Sequence, residues 1–223
     1  GGLTAALQTL CIGATLILGG SFDAAAMLGL IRREGVTQMS LIPPSLCSDF
    51  AACEGFGSGD LASVRMVRVS GGCCTEENIN EIFSTFPNAR VINGYGMSER
   101  AVNMLNVIER GRHIHDDRGN ISVGTPSPLC EAKLVDSSGA AVSEPGRLGE
   151  LYGRSPCMMT GYCGRSGAFD GGGWFATGDI FYFDAEGRYY FVDRKKDMIK
   201  SGGENVYSGE VERVLRGHPA VYE

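Results

Sequence analysis

The sequence predicts an α/β protein built on a parallel sheet, followed by a smaller β-rich unit. Three observations carry this. Up to about residue 120, β-prone apolar runs alternate with segments of helical period, the pattern of a parallel sheet joined by crossover helices. From Ile121 onward the texture changes to short strands and tight turns, SVGTPSP, EAKLVDSSGA, GRLGELYGR and MTGYCG in succession. Further on, two aromatic runs, Phe181 to Phe183 and Tyr189 to Val192, flank a DAEG turn and read as a hairpin.

Taken in order, Leu3 to Leu10 spaces its apolar residues for a helix, and Ala14 to Leu18 reads as a strand buried on both faces. Asp23 to Glu34 is helical and stops at Gly35, a suitable C-terminal cap. Val36 to Ile42 is the next strand, ended by Pro43 and Pro44, and Ser45 opens a short helix. After a glycine-rich link over Gly55 to Gly59, Arg65 to Ser70 forms a strand. A helix follows from Thr75, with Glu76 and Glu77 in its first turn, where acidic groups suit the helix dipole. Ala89 to Gly96 is a strand running into a loop. The loops SGGCC and NGYGMSER thus fall at carboxyl ends of parallel strands, where such sheets bind ligands.

Composition describes an ordinary globular chain. Its 223 residues carry a net charge of -6 and 43% apolar content, with no basic face to suggest nucleic acid. The 33 glycines are about twice the average share of roughly 7%, which points to many tight turns and close ligand approaches. Eight cysteines lack both CxxC pairs and the density of a secreted disulfide scaffold. Free thiols are expected, in an intracellular, reducing compartment, cytoplasmic or organellar, the peroxisome included. Residues 1–22 are uncharged, but glycines, threonines, Gln8 and Ser21 interrupt them, so a buried helix and strand fit better than a transmembrane segment.

Three stretches carry chemistry. In WFATGD, Asp179 follows a Thr-Gly turn, and the hairpin brings it to the same end of a ribbon as Arg194. There a carboxylate and a forked guanidinium can hold the two hydroxyls of one sugar; a plain salt bridge is the alternative. Upstream stand SGG (Ser70 to Gly72) and NGYGMSE (Asn93 to Glu99). WFATGD resembles the ribose-binding motif, and DRKKDMIKSGGENVYSGEVE the hinge motif, of the AMP-forming adenylating enzymes: acyl- and aryl-CoA synthetases, luciferases and peptide-synthetase adenylation domains. NGYGMSE is similar to the same family's Tyr-Gly-x-Thr-Glu motif, with Ser98 in place of threonine.

The resemblance implies specific roles. Tyr95 would stack beside adenine, within a loop Asn93, Gly94 and Gly96 help shape. Ser98 would contact a phosphate oxygen, and Glu99 would help hold Mg2+. Gly71, Gly72 and Cys73 would flank the base; the family usually continues with Ala-Pro where this chain has Cys73 and Cys74. Asp179 and Arg194 would bind the ribose hydroxyls and Lys196 would act as the hinge. Lys200 would serve thioester formation, and Gly203 would line the pantetheine tunnel. Ser208 stands where many members have proline, and Tyr162 is expected to be structural. The implied cofactors are ATP or AMP and Mg2+, with coenzyme A and a small carboxylic acid as co-substrates and no nucleic-acid partner.

The implied organisation is a partial α/β core over 1–120, part of a large N-terminal domain, then a β-rich subdomain over 121–192. A hinge follows at 193–196, and 197–223 begins a separate α+β domain. A phosphate loop before residue 1 and a catalytic lysine beyond residue 223 are expected in the family, so the chain reads as a fragment, inactive alone. The implied reaction is acyl-CoA or aryl-CoA ligation through an acyl-adenylate, with the GGENVY string pointing to fatty-acyl or aryl-CoA ligases and hence to fatty acid metabolism as one setting. Loading of a carrier protein, or a non-catalytic nucleotide-binding paralogue, are the alternatives.

Overall fold

The computed structural model describes residues 2–54, 56–112, 115–117, 119–202, 204–216, 218 and 220–221. Helices α1 (Gly2–Cys11) and α2 (Ala24–Glu34) open the chain. The ends of α2 are set by its sequence: the Asp23 carboxylate accepts the Ala26 N–H at 2.7 Å, and the Gly35 N–H returns to the Ile31 carbonyl. The strand expected over Ala14 to Leu18 does not form. These residues run without regular structure, and Leu18 is 81% exposed. Composition makes a segment eligible for a strand, but only a pairing ladder makes it one, and no strand among the described residues pairs with it.

Strands β1 (Gln38–Leu41), β2 (Met66–Val69) and β3 (Arg90–Gly96) run parallel, with Leu41, Val69 and Asn93 in register. A tight helical turn at Pro44–Leu46 leads into α3 (Cys47–Ala51), and α4 (Glu76–Thr85) connects β2 to β3. The start of α4 is a reciprocal cap. The Thr75 hydroxyl accepts the Asn78 N–H, and the Asn78 side-chain oxygen accepts the Thr75 N–H. The three helices α2 to α4 cover one face of this sheet through a core that includes Ile31, Phe50, Ile79, Ile82 and Phe86 against Val67, Val69 and Val91.

Two expectations need correction here. Asn93 to Gly96 lie in β3 itself, not in a loop, because the chain doubles back as β4 (Asn103–Ile108) and pairs with all of them. The sheet is therefore mixed rather than parallel, and β5 (Thr125–Pro126) adds a second antiparallel edge. Alternation does not mark β4, since its outward positions Leu105 and Val107 are apolar yet 47% and 58% exposed.

The second sheet is antiparallel throughout. It comprises β6 (Glu131–Val135), β7 (Ala141–Val142), β8 (Gly149–Arg154), β9 (Phe175–Phe183) and β10 (Tyr189–Arg194), in the order β10-β9-β8-β6-β7. The expected aromatic hairpin is β9 and β10, but β9 begins earlier, so Thr177 and Gly178 lie within the strand and not in a turn. A core of Met104 from the first sheet, and Val102 just before β4, with Leu134, Leu151 and Phe181 from the second welds the two together. A short hairpin, β11 (Ile199–Ser201) and β12 (Glu204–Val206), and helix α5 (Ser208–Arg216) follow. All eight cysteines are free, and no helix among the described residues is long and apolar enough to cross a membrane.

The seam between the sheets is a pair of backbone bonds. The Val123 N–H donates to the Tyr189 carbonyl at 2.9 Å, and the Tyr189 N–H donates to the Gly124 carbonyl at 2.8 Å. Gly124 has φ +88°, and a Cβ there would lie 2.1 Å from the Leu105 carbonyl oxygen. Both the conformation and the contact demand glycine. Gly124→Ala is accordingly expected to cost about 3 kcal/mol or more in urea unfolding; a loss below about 1 kcal/mol would show that the seam has slack.

Candidate active site

The register of the aromatic hairpin builds the centre of the site. A shift between Phe191 and Asp193 in β10 places Arg194 opposite Asp179 on β9. Asp179 shares the inward face of β9 with Phe175 and Phe181 and is only 7% exposed. Its Oδ2 accepts a hydrogen bond from the Tyr95 hydroxyl at 2.5 Å, and its Oδ1 lies 3.5 Å from Arg194 Nε. Its own N–H donates to the Thr177 hydroxyl oxygen, whose proton goes to the Leu151 carbonyl. Arg194 is more than half exposed, so most of its donor fork faces outward, available to a ligand.

Burial pushes the Asp179 carboxyl above the ordinary carboxylate range, with Glu150 and Glu99 adding to the rise; the Tyr95 hydrogen bond and the Arg194 charge oppose it. Tyr95 is pushed up in turn, first by burial and then by the negative charge of Asp179. The Tyr95 ring meets Phe181 edge-on, with centroids 4.8 Å apart at 76°. That contact fixes the ring while its hydroxyl ties the first sheet to the second.

The neighbouring residues of β3 serve as scaffold. The Asn93 amide is buried and donates to the carbonyls of Ile121 and Ser122, at 3.3 and 3.1 Å. Gly94 and Gly96 lie close against β4, where added Cβ atoms would sit 3.1 Å from Leu105 Cδ2 and 3.2 Å from Asn103 Oδ1. After β2, a Cβ on Gly71 would sit 2.7 Å from Ile42 Cγ2, whereas Gly72 faces open space. The Cys73 thiol points to Asn120 Oδ1 at 3.2 Å, and Cys74 is buried, its thiol pushed up to about 12 by desolvation and by Cys73. Such a thiol packs rather than reacts.

Beyond β3 the chain turns at Met97 to Arg100. Ser98 is exposed, while Glu99 is held from a distant segment. The Met159 N–H donates to the Glu99 carbonyl at 2.9 Å, the Tyr162 hydroxyl donates to Glu99 Oε1 at 2.5 Å, and the Ser155 hydroxyl donates to the Arg100 carbonyl at 2.6 Å. No cluster of three His, Cys, Asp or Glu groups suited to a metal occurs among the described residues. One carboxylate fits Mg2+ that takes its other ligands from substrate phosphates and water, and does not make an all-protein cage.

The segment that follows β10 is anchored on both sides. The Lys195 N–H donates to the Gly178 carbonyl at 2.8 Å, and its Nζ bonds Glu150 Oε2 at 2.6 Å. Asp193, buried, accepts from the Arg194 N–H and from both the N–H and the hydroxyl of Ser208 at the start of α5. A proline at position 208 could offer neither donor. Lys196 and Lys200 are exposed, and no hydrogen bond or ion pair joins Lys200 to Asp179 or Glu99 among the described residues. Gly203 lies outside the described residues.

The structure therefore brings Tyr95, Asp179 and Arg194 into direct contact and sets Glu99 near enough to act electrostatically on Asp179. Sequence reasoning passes over Thr177 and Glu150 and names Tyr162 only as structural. Thr177 was legible, two residues before Asp179, whereas Tyr162 and Glu99 are 63 residues apart with no local signal joining them. A cleft of about 690 Å³ lined by Gln38, Arg65, Met66 and Arg90 lies at the amino ends of the parallel strands, opposite the end where ligands bind such sheets.

The raised Asp179 carboxyl has a stability consequence. A folded-state pKa above the unfolded one means that the folded chain holds the extra proton between the two values. Stability from this group therefore falls as pH rises through that interval. Asp179→Asn is expected to be more stable than wild type at pH 7 in denaturant unfolding, the difference shrinking below the ordinary carboxylate range. A variant destabilised more at pH 7 than at acid pH would reverse the sign.

Comparison with known proteins shows the family. The family model described as AMP-binding enzyme matches residues 1–163. Feruloyl-CoA synthase of Amycolatopsis sp is 37% identical over 218 residues, covering 96% of this chain and 43% of that protein. 4-Coumarate–CoA ligase-like 3 of Oryza sativa subsp. japonica is 35% identical over 227 residues, covering 98% and 37%. Among solved structures, o-succinylbenzoate CoA synthetase of Bacillus subtilis with its acyl-adenylate intermediate superposes with a TM-score of 0.80 at 32% identity, over 100% of this chain and 44% of that one. The same enzyme with ATP and magnesium ion gives 0.77. The chain thus spans less than half the length of these relatives. Its sequence, its sheets and its motifs agree that it belongs to the family of AMP-binding, adenylate-forming enzymes.

Proposed function

We propose that this chain is the nucleotide-holding part of an AMP-forming ligase that activates an aromatic carboxylic acid and transfers it to coenzyme A. The observation that carries this is the buried Asp179 carboxylate facing the exposed Arg194 fork in direct cross-strand register. That pair presents an acceptor and several donors to a vicinal diol, which is what a ribose offers. Relatives named for ferulate, 4-coumarate and anthranilate favour an aryl acid over the fatty acid that the GGENVY string also allowed.

In this reading the substrate carboxylate oxygen attacks the α-phosphorus of ATP, the bond to pyrophosphate breaks, and an acyl-adenylate remains. The coenzyme A thiol then attacks the acyl carbon and AMP leaves. Asp179 and Arg194 hold the ribose and so fix the α-phosphate against the acid. Tyr95 sets the carboxylate and borders the base beside Gly71 and Gly72, with Asn93, Gly94, Gly96 and Cys73 shaping the surrounding backbone. Ser98 offers its hydroxyl to a phosphate oxygen. Glu99 is the protein ligand for Mg2+, which when bound neutralises charge on the phosphates. Lys196 is the pivot within a hinge over 193–196, with 1–120 and 121–192 on one side and 197–223 on the other; Lys200 and Gly203 serve the thioester step. Eight free thiols accord with an intracellular, reducing compartment.

The test uses a protein of the relatives' full length that contains this chain, with ATP, Mg2+, coenzyme A and a panel of aryl and fatty acids. Pyrophosphate and AMP release is expected with hydroxycinnamates or benzoates, at kcat/KM about tenfold or more above any fatty acid. That is the discrimination expected when an apolar pocket is filled or left with a gap. Release with no acid would overturn the ligase reading, and a preference for fatty acids would overturn the aryl assignment.

A further inference from the structure

We propose that Tyr162 is a positioning residue for the Glu99 carboxylate, holding one oxygen so that the other is presented to the metal ion of a bound metal–nucleotide. The inference rests on the reading of Glu99 as the protein's Mg2+ ligand. Its geometry is independent of that reading. Glu99 Oε1 takes the Tyr162 hydroxyl proton at 2.5 Å, and among the described residues Oε2 has no hydrogen-bond or ion-pair partner. One oxygen is thus committed and the other is open, the arrangement a hard cation needs from a single carboxylate.

Three features show that the contact is held in place. The same segment grips the backbone on either side of the side chain, through the Met159 N–H on the Glu99 carbonyl and the Ser155 hydroxyl on the Arg100 carbonyl. Arg100 itself has φ +56°, which a non-glycine residue keeps only when its surroundings fix it. The Tyr162 ring leans on Phe175, centroids 6.4 Å apart, and Phe175 opens the strand that carries Asp179. Groups behind a metal ligand set its orientation and affinity as the ligand itself does. Tyr162 therefore connects the metal-ligating loop to the ribose-binding strand.

The test measures binding, with a non-hydrolysable ATP analogue titrated calorimetrically into the full-length protein, once with Mg2+ and once with a chelator. The ratio of the two affinities reports the coupling between metal and nucleotide. Tyr162→Phe is expected to lower that ratio by on the order of tenfold while leaving metal-free binding unchanged. Ser155→Ala, which removes a backbone grip on the same loop and leaves the bond to the carboxylate intact, should lower the ratio clearly less than Tyr162→Phe does. Equal loss in both variants, or no loss in Tyr162→Phe while Glu99→Gln abolishes the coupling, would overturn the inference and leave the role of Glu99 standing. Coupling that survives Glu99→Gln would remove the metal reading itself, and this inference with it.

Discussion

A carboxylate kept on the inward face of a strand is the constraint on which the rest of this structure depends. Asp179 sits where the alternation of β9 calls for an apolar residue, between Phe175 and Phe181 in the inward pattern. Desolvating a charge there is unfavourable unless it is paired, and the fold supplies two partners of different kinds. The Tyr95 hydroxyl is short, neutral and rigidly mounted; the Arg194 guanidinium is charged, longer-range and mostly in solvent. The first fixes the carboxylate, and the second leaves donors for a ligand. The fold thus holds the pair ready, at the cost of an acid that folding alone would not choose.

The two sheets are arranged to make that pairing possible. Tyr95 comes from the end of β3 and Asp179 from β9, so their bond spans the seam that Gly124 and Tyr189 close through the backbone. The core of Met104, Leu151 and Phe181 lies beneath the same seam. Around the proposed hinge the contacts differ in character. Asp193 to Ser208, and Lys195 to Glu150, are polar and few, and a rotation about 193–196 would exchange them for water at modest cost. A large apolar interface at that place would resist rotation.

Much of this was legible in the sequence, and the limits have physical causes. Asp23, Gly35 and the Thr75 capping position announce the ends of α2 and α4 because caps are local chemistry. The aromatic hairpin and the shared end of Asp179 and Arg194 were legible because a two-strand ribbon is also local. Ala14 to Leu18 has the composition of a strand and not the partner, and β4 has the partner without the alternation. The Tyr95–Asp179 bond joins residues 84 positions apart, so each side chain was visible and their contact was not. Ser98, Glu99, Lys196 and Lys200 were named through motif resemblance, since an exposed serine or lysine has no pattern of its own.

The central claim is that the Asp179 and Arg194 pair holds the ribose of an adenine nucleotide. The most direct measurement is calorimetric titration of AMP into the folded protein, wild type against Asp179→Ala. Saturable binding by wild type that the substitution abolishes is the predicted result. Undiminished AMP affinity in a folded Asp179→Ala protein would contradict the account and move the nucleotide away from this strand.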